Sequence, residues 1–284
     1  MQNKWYSIFK NILMGPFLTV YNRPSVEGME KVPSDGPALM VSNHQSVLDS
    51  FYLPLTCPRQ ITFLAKKEYF TAPGLVGRLQ KWFFTSVGQV PIDRESAESG
   101  RAAIKTGVRI LSEGDLFGIY PEGTRAPDTR VYRGKTGMAR IALESGAPII
   151  PVAMLNTRKA NPVGSWIPRP VKVGVRVGDG IDPLAFAREH GLDPTTREAA
   201  RALTDHVMHT LADLVGVEYV DAYAKDVKAR LAEGKGYPEG LAPKQSWRAL
   251  RAQHAGTTLA EPGAGRFGGV VTMVIHVPEN ACAG

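Results

Sequence analysis

Short apolar runs that end in polar or charged residues recur through the first two thirds of the chain, and stretches with helical spacing separate them. The run Ala38-Leu39-Met40-Val41 is bounded upstream by Pro33-Ser34-Asp35-Gly36-Pro37 and is short enough to be a buried strand ending where Ser42-Asn43-His44 begins. Residues 61–65 read as a second strand running into Lys66, and residues 88–94 as another apolar segment ending in charge at Arg94. Ile104, Val108 and Leu111 mark a helix stopped by Gly114, and residues 116–120 are the next buried strand, opening into Pro121-Glu122-Gly123-Thr124-Arg125. Met138, Ile141 and Ala142 predict a helix ended by Gly146, and residues 148–154 a central strand. Residues 171–177 alternate strictly, as a half-exposed strand does. Two helical stripes follow: Ala199, Leu203, Val207, Leu211 and Leu214, then Val217, Val220, Ala224, Val227 and Leu231. Both read as core, and His206 and His209 beside the first have no carboxylate at metal spacing and read as structural. The expectation is an α/β fold: a single domain with a mixed sheet flanked by helices, a helical C-terminal part, and polar strand ends gathered on one side.

The two ends of the chain differ from this pattern. Over residues 1–26 there are Lys4, Lys10 and Arg23 and no acid, while Trp5, Ile8, Phe9, Ile12 and Leu13 share one helical face. Gly15-Pro16 is expected to break that helix before Phe17, Leu18, Val20 and Tyr21 continue the apolar character. This predicts a membrane-docking segment over 1–24, with the aromatic face in the bilayer interface and the lysines against anionic lipid. The α/β domain then spans 25–233, and 234–284 is a loosely ordered extension whose apolar run 270–275 is too short to span a bilayer. No apolar run approaches the roughly 18 residues of a transmembrane helix. The 34 Lys and Arg against 27 Asp and Glu give +7, which favours an anionic partner. Cys57 and Cys282 have no metal spacing, which points to a reducing compartment without structural zinc. Zinc-finger spacing, an RNA-binding aromatic motif and a helix-turn-helix pair are all missing, so no nucleic-acid partner is expected.

Two stretches carry candidate chemistry. A histidine takes and returns a proton near neutral pH, and a carboxylate on its other nitrogen fixes tautomer and orientation. His44 and Asp49 supply that pair. In one continuous helix they would lie about 140° apart, so the pairing needs a turn at His44 running into a helix that carries Asp49, with Ser46 as its cap. In Glu122-Gly123-Thr124-Arg125, glycine lets backbone approach an anion, threonine adds a hydroxyl, and arginine offers a planar fork matching phosphate oxygens. Lys66 and Arg94, at the ends of their own apolar segments, are placed to add charge to the same pocket. Leu75, Val76, Trp82, Phe83 and Phe84 are candidates for an apolar groove.

Asn43-His44 with Asp49, residues 88–94, Tyr120 to Arg125, and Ile150-Pro151-Val152-Ala153 resemble, in order, the four blocks of the glycerolipid acyltransferases, the lysophosphatidic acid acyltransferase group in particular. The resemblance covers about residues 25–180. It implies transfer of a fatty acyl group from a coenzyme A or acyl carrier protein thioester to the free hydroxyl of lysophosphatidic acid, giving phosphatidic acid, without a cofactor beyond the acyl donor and without a metal. His44 would take the hydroxyl proton, Asp49 would hold the imidazole, and Arg125 with Lys66, Arg94, Glu122, Gly123 and Thr124 would form the phosphate site. The partners implied are an anionic phospholipid membrane, lysophosphatidic acid and the acyl donor, with the protein peripheral or monotopic on the cytoplasmic face of the cell membrane. Another lysolipid, a glycolipid or glycerol phosphate is the alternative acceptor. A metal-dependent phosphohydrolase lacks the further His and carboxylate cluster it needs, and a non-catalytic basic module leaves the four blocks unexplained.

Overall fold

Strand β1 (Ser25–Glu27) opens a seven-stranded sheet whose centre is β2 (Ala38–Ser42), buried along its whole length. The computed structural model describes residues 7–243 apart from 67, 72, 87, 93–96 and 166. The further sheet strands are β3 (Ile61–Lys66), β4 (Val90–Ile92), β5 (Leu116–Ile119), β7 (Ile149–Leu155) and β8 (Gly174–Val177), while β6 (Val131–Tyr132) pairs with β9 (Tyr219–Val220) outside it. In space the order is β1-β8-β7-β2-β5-β3-β4, parallel throughout except for antiparallel β7 and β8, so the sheet is mixed. A continuous apolar run suits a strand covered on both faces. Leu39 and Val41 accordingly enter one core with Leu111, Phe117, Met138 and Leu203. Ala38 and Met40 enter the opposite one with Tyr52, Leu53, Ile61 and Val152.

The alternating stretch 171–177 departs from expectation. Only Gly174–Val177 forms strand, and three of its four residues are buried, because β8 lies between β1 and β7 and not at an exposed edge. The apolar spacing from Val217 to Leu231 is also not one helix. Tyr219 and Val220 form β9, and the helix Ala224–Ala232 starts after it, so Val220, Ala224 and Val227 reach one small core with Ala126 and Tyr132 by two different routes. Contacts along the chain close a first unit at Ala242. A second comprises Pro243–Gly284, and residues 244–284, including the apolar run 270–275, lie outside the described residues.

At the N-terminus a π-helical turn, Phe9–Leu13, runs into the helix Met14–Asn22 without the expected break. Pro16 lies inside this continuous helical stretch, just past the π-helical turn, and contributes no backbone N–H to it. Trp5 and the side chains of Phe9 and Leu13 lie outside the described residues; Ile8 is half-buried and Ile12 is exposed. Lys10 is turned inward: its ammonium donates to the carbonyl of Cys57, and burial holds its pKa below the usual lysine value, so it does not face lipid as predicted. Among the described residues no helix is long and apolar enough to cross a membrane.

Gly118 of β5 stands beside Phe63 of β3, and a methyl group there would overlap the phenylalanine ring. That ring stacks on Tyr120, centroids 5.6 Å apart, so the glycine makes room for an aromatic layer at the strand ends. Overpacking of this kind costs about 1–3 kcal/mol. Gly118→Ala is expected to lower the unfolding free energy measured in urea by that amount, and the midpoint with it; an unchanged midpoint would mean the ring has space to move away.

Candidate active site

Because β2, β5 and β7 run parallel and adjacent, the turns that leave their carboxyl ends share one edge of the sheet. Asn43, fully buried, fixes the first of them. Its side-chain oxygen accepts from the Met154 amide at 2.7 Å and its amide nitrogen donates to the Met154 carbonyl at 3.1 Å, extending the β2–β7 pairing through a side chain. The chain then turns, and the helix Asp49–Thr56 begins.

His44 and Asp49 meet across that turn, Nδ1 to Oδ2, at 2.9 Å. The same carboxylate oxygen accepts the backbone N–H of Gln45 at 2.6 Å and of Ser46 at 2.8 Å. Asp49 is fully buried, while the His44 side chain keeps 18% of its surface exposed. With Nδ1–H donated to the carboxylate, Nε2 is left with the free lone pair, the arrangement a general base requires. Ser46 is not the helix cap. Its Oγ accepts the N–H of Leu48 inside the turn, and Leu48 at the cap position makes no side-chain capping bond.

A second turn is bolted onto the first. The N–H of His44 donates to Glu122 Oε1 at 3.1 Å, and the N–H of Ala126 donates to the His44 carbonyl at 2.8 Å. Residues 122–126 are therefore tied at both ends to the residue that carries the imidazole. Glu122 is 1% exposed, and its carboxylate braces this turn through Oε1 while Oε2 is buried without a hydrogen-bond partner. It was expected in the phosphate site. Burial pushes its pKa up to about 8; the amides of His44 and Tyr132 pull it down, and Asp49 and Asp128 push it further up. Gly123 has φ of +69°, and its amide is committed to the Tyr120 carbonyl at 3.0 Å, so the donor expected there is not free. Thr124 and Arg125 are half-exposed on the outer side of the turn. Arg94 and the side chain of Lys66 lie outside the described residues.

Several residues on this edge were not assigned from sequence. Tyr120 stacks on His44 with centroids 4.2 Å apart at 17°, walling one face of the imidazole; burial raises its pKa above that of a free phenol. Beyond the turn, Arg130 donates to Asp128 Oδ2 at 2.7 Å and to the Leu241 carbonyl at 2.8 Å, and the Tyr132 hydroxyl donates to Asp128 at 2.7 Å, pinning the loop to the C-terminal part. Arg158 donates to the carbonyls of Ala126 and Pro127 at 2.9 and 2.5 Å. Tyrosine at a strand end was the one readable signal, since it closes the run that opens into Glu122. Of the groove candidates, Leu75 and Trp82 are exposed on the helix Gly74–Ser86, and the side chains of Val76, Phe83 and Phe84 lie outside the described residues. His206 and His209 pack against Phe186 and Tyr219, away from this edge in the sequence and in their contacts.

Residues 23–155 match the family model described as Acyltransferase. A chloroplastic 1-acyl-sn-glycerol-3-phosphate acyltransferase of Arabidopsis thaliana is 33% identical over 159 residues, which is 56% of this chain and 42% of the plant protein. The 1-acyl-sn-glycerol-3-phosphate acyltransferase of Bacillus subtilis is 33% identical over 138 residues, 47% of this chain and 60% of that protein. The chain thus spans about half the length of these relatives. The crystal structure of the 1-acyl-sn-glycerophosphate acyltransferase PlsC from Thermotoga maritima superposes with a TM-score of 0.54 at 25% identity, covering 75% of this chain and 83% of that one.

The raised pKa of Glu122 has a consequence for stability. Below its ordinary value both folded and unfolded chains hold the proton. Between about pH 5 and pH 8 only the folded chain does, so stability falls as pH rises through this window. Glu122→Gln keeps an oxygen for the His44 amide and removes the titration. Its urea stability is expected to gain on the wild type by up to about 1.4 kcal/mol per pH unit across the window. Parallel stability curves for the two proteins would show that Glu122 is ionised throughout.

Proposed function

We propose, from the match of residues 23–155 to the acyltransferase family model, that the protein acylates lysophosphatidic acid to phosphatidic acid, taking the fatty acyl group from a coenzyme A or acyl carrier protein thioester. One observation carries the reading. The His44–Asp49 pair and the Thr124–Arg125 turn are fastened together through the backbone of His44 itself, so the residues proposed as base and as anion site share one strand-end edge.

In the proposed reaction His44 Nε2 removes the proton of the acceptor hydroxyl as that oxygen attacks the thioester carbonyl carbon. The new C–O bond forms, the C–S bond breaks, and the thiolate leaves with the proton that the imidazolium returns. Asp49 stabilises the cationic ring and keeps it oriented, and Tyr120 prevents it from turning away. The acceptor's phosphate binds at Thr124 and Arg125, with Lys66 and Arg94 as further proposed cations. Holding the reacting groups at contact distance supplies what base catalysis alone does not. No acyl-enzyme step is required.

This reading is tested by thiol release from a long-chain acyl-coenzyme A in the presence of lysophosphatidic acid. His44→Ala and Asp49→Asn are expected to lower kcat by about 10²–10⁴-fold, the usual scale of general-base catalysis, on protein that unfolds cooperatively. Turnover by folded His44→Ala comparable to wild type would remove the proposed base.

The acceptor resides in a bilayer, and we place the docking face on residues 12–22, the end of the π-helical turn and the helix Met14–Asn22. Ile12, Phe17 and Val20 are 67%, 58% and 79% exposed, apolar surface that an aqueous protein gains by burying in a lipid interface. Phe17→Ser with Val20→Ser is expected to weaken sedimentation with anionic vesicles by at least about tenfold, given the transfer energy of two apolar side chains. Undiminished sedimentation of the double variant would assign docking to another surface.

A further inference from the structure

We propose that Lys228, which lies outside the family segment, closes the phosphate site over Thr124 and Arg125 and selects for a phosphomonoester acceptor. The proposal deepens the acylation reading and rests on it. Lys228 is placed by packing: Val227 beside it and Ala224 a turn earlier are 1% and 0% exposed, in one core with Ala126 and Tyr132. The parallel pairing of β6 and β9 fixes the chain just before this helix. Lys228 then reaches over the rim, and its Nζ donates to Thr124 Oγ1 at 3.2 Å.

The charges around that contact are unbalanced. Desolvation, the larger effect, and then the charges of Arg125 and Arg158 hold the pKa of Lys228 below the usual lysine value. Arg158 is satisfied by two neutral carbonyls, which leave its charge in place. Lys135 adds a fourth cation. A Cβ on Gly123 would stand 3.2 Å from its Nζ. Among the described residues none of Arg125, Lys135, Arg158 and Lys228 has a carboxylate at ion-pair distance. Like charges gathered at one turn repel one another, and a dianion among them converts that repulsion into binding. The acceptor's phosphate fits better than the donor's, because the Thr124–Arg125 turn is bonded to His44 and lysophosphatidic acid carries its free hydroxyl and its phosphate on neighbouring carbons.

The test has two arms, run on the full chain with Lys228→Gln and Lys228→Arg. In the first, glycerol 3-phosphate is titrated and its binding followed by calorimetry. The glutamine variant is expected to bind about tenfold more weakly, the scale of one charge-assisted contact, and the arginine variant within about twofold of wild type. Equal affinity in wild type and Lys228→Gln overturns the proposal. In the second, KM is measured separately for lysophosphatidic acid and for the acyl thioester. A rise of about tenfold confined to the acceptor supports it, and a rise confined to the donor, or an equal fall of kcat on phosphorylated and phosphate-free acceptors, overturns it. If the wild type proves inactive on lysophosphatidic acid, the acylation reading fails, while the first arm still decides whether Lys228 binds phosphate.

Discussion

The geometry of this edge depends on one oxygen. Oδ2 of Asp49 accepts from His44 Nδ1 and from the backbone amides of Gln45 and Ser46. Three donors on a single buried carboxylate oxygen define the turn that takes the chain from β2 into the next helix, and at the same time they set the imidazole tautomer. Orientation of the base and the shape of the backbone around it are therefore one property. A buried carboxylate with no donors would be strongly destabilising; with these donors it organises the segment.

From that turn the constraint spreads in two directions. Asn43 ties it to the end of β7 through Met154, and the His44 backbone ties it to residues 122–126 beyond β5. Parallel adjacency of β7, β2 and β5 makes both ties possible, since only parallel neighbours bring successive carboxyl ends to the same edge. Glu122 belongs to this framework. Burying a carboxyl group there costs stability at neutral pH, and what it secures is the position of Thr124 and Arg125 relative to the imidazole.

Much of the sheet was legible because its strands are buried apolar runs bounded by turn residues, and β2, β3, β5 and β7 each end within a few residues of the predicted position. The pairing of His44 with Asp49 was legible because five positions cannot meet on one helix and so require a turn. Ser46 was misread because a serine before a helix is equally suited to capping it and to bonding within the preceding turn. The alternation at 171–177 reveals a period but not a place in the strand order, and the interior position of β8 follows only from its neighbours. The bracing role of Glu122 was not legible, because a carboxylate beside Gly-Thr-Arg has no sequence mark of the amide it will accept. Lys228 stands 104 positions from Thr124, and only the packing of Ala224 and Val227 on Ala126 and Tyr132 joins them.

The central claim is that one bonded pair of turns holds the acceptor by its phosphate while presenting its hydroxyl to the base. A crystal structure with lysophosphatidic acid bound and no acyl donor addresses it directly. The account predicts phosphate oxygens on Thr124 and Arg125 and the free hydroxyl within about 2.6–3.2 Å of His44 Nε2. A phosphate bound elsewhere on the protein, or a hydroxyl turned away from His44 with the phosphate in place, would contradict it.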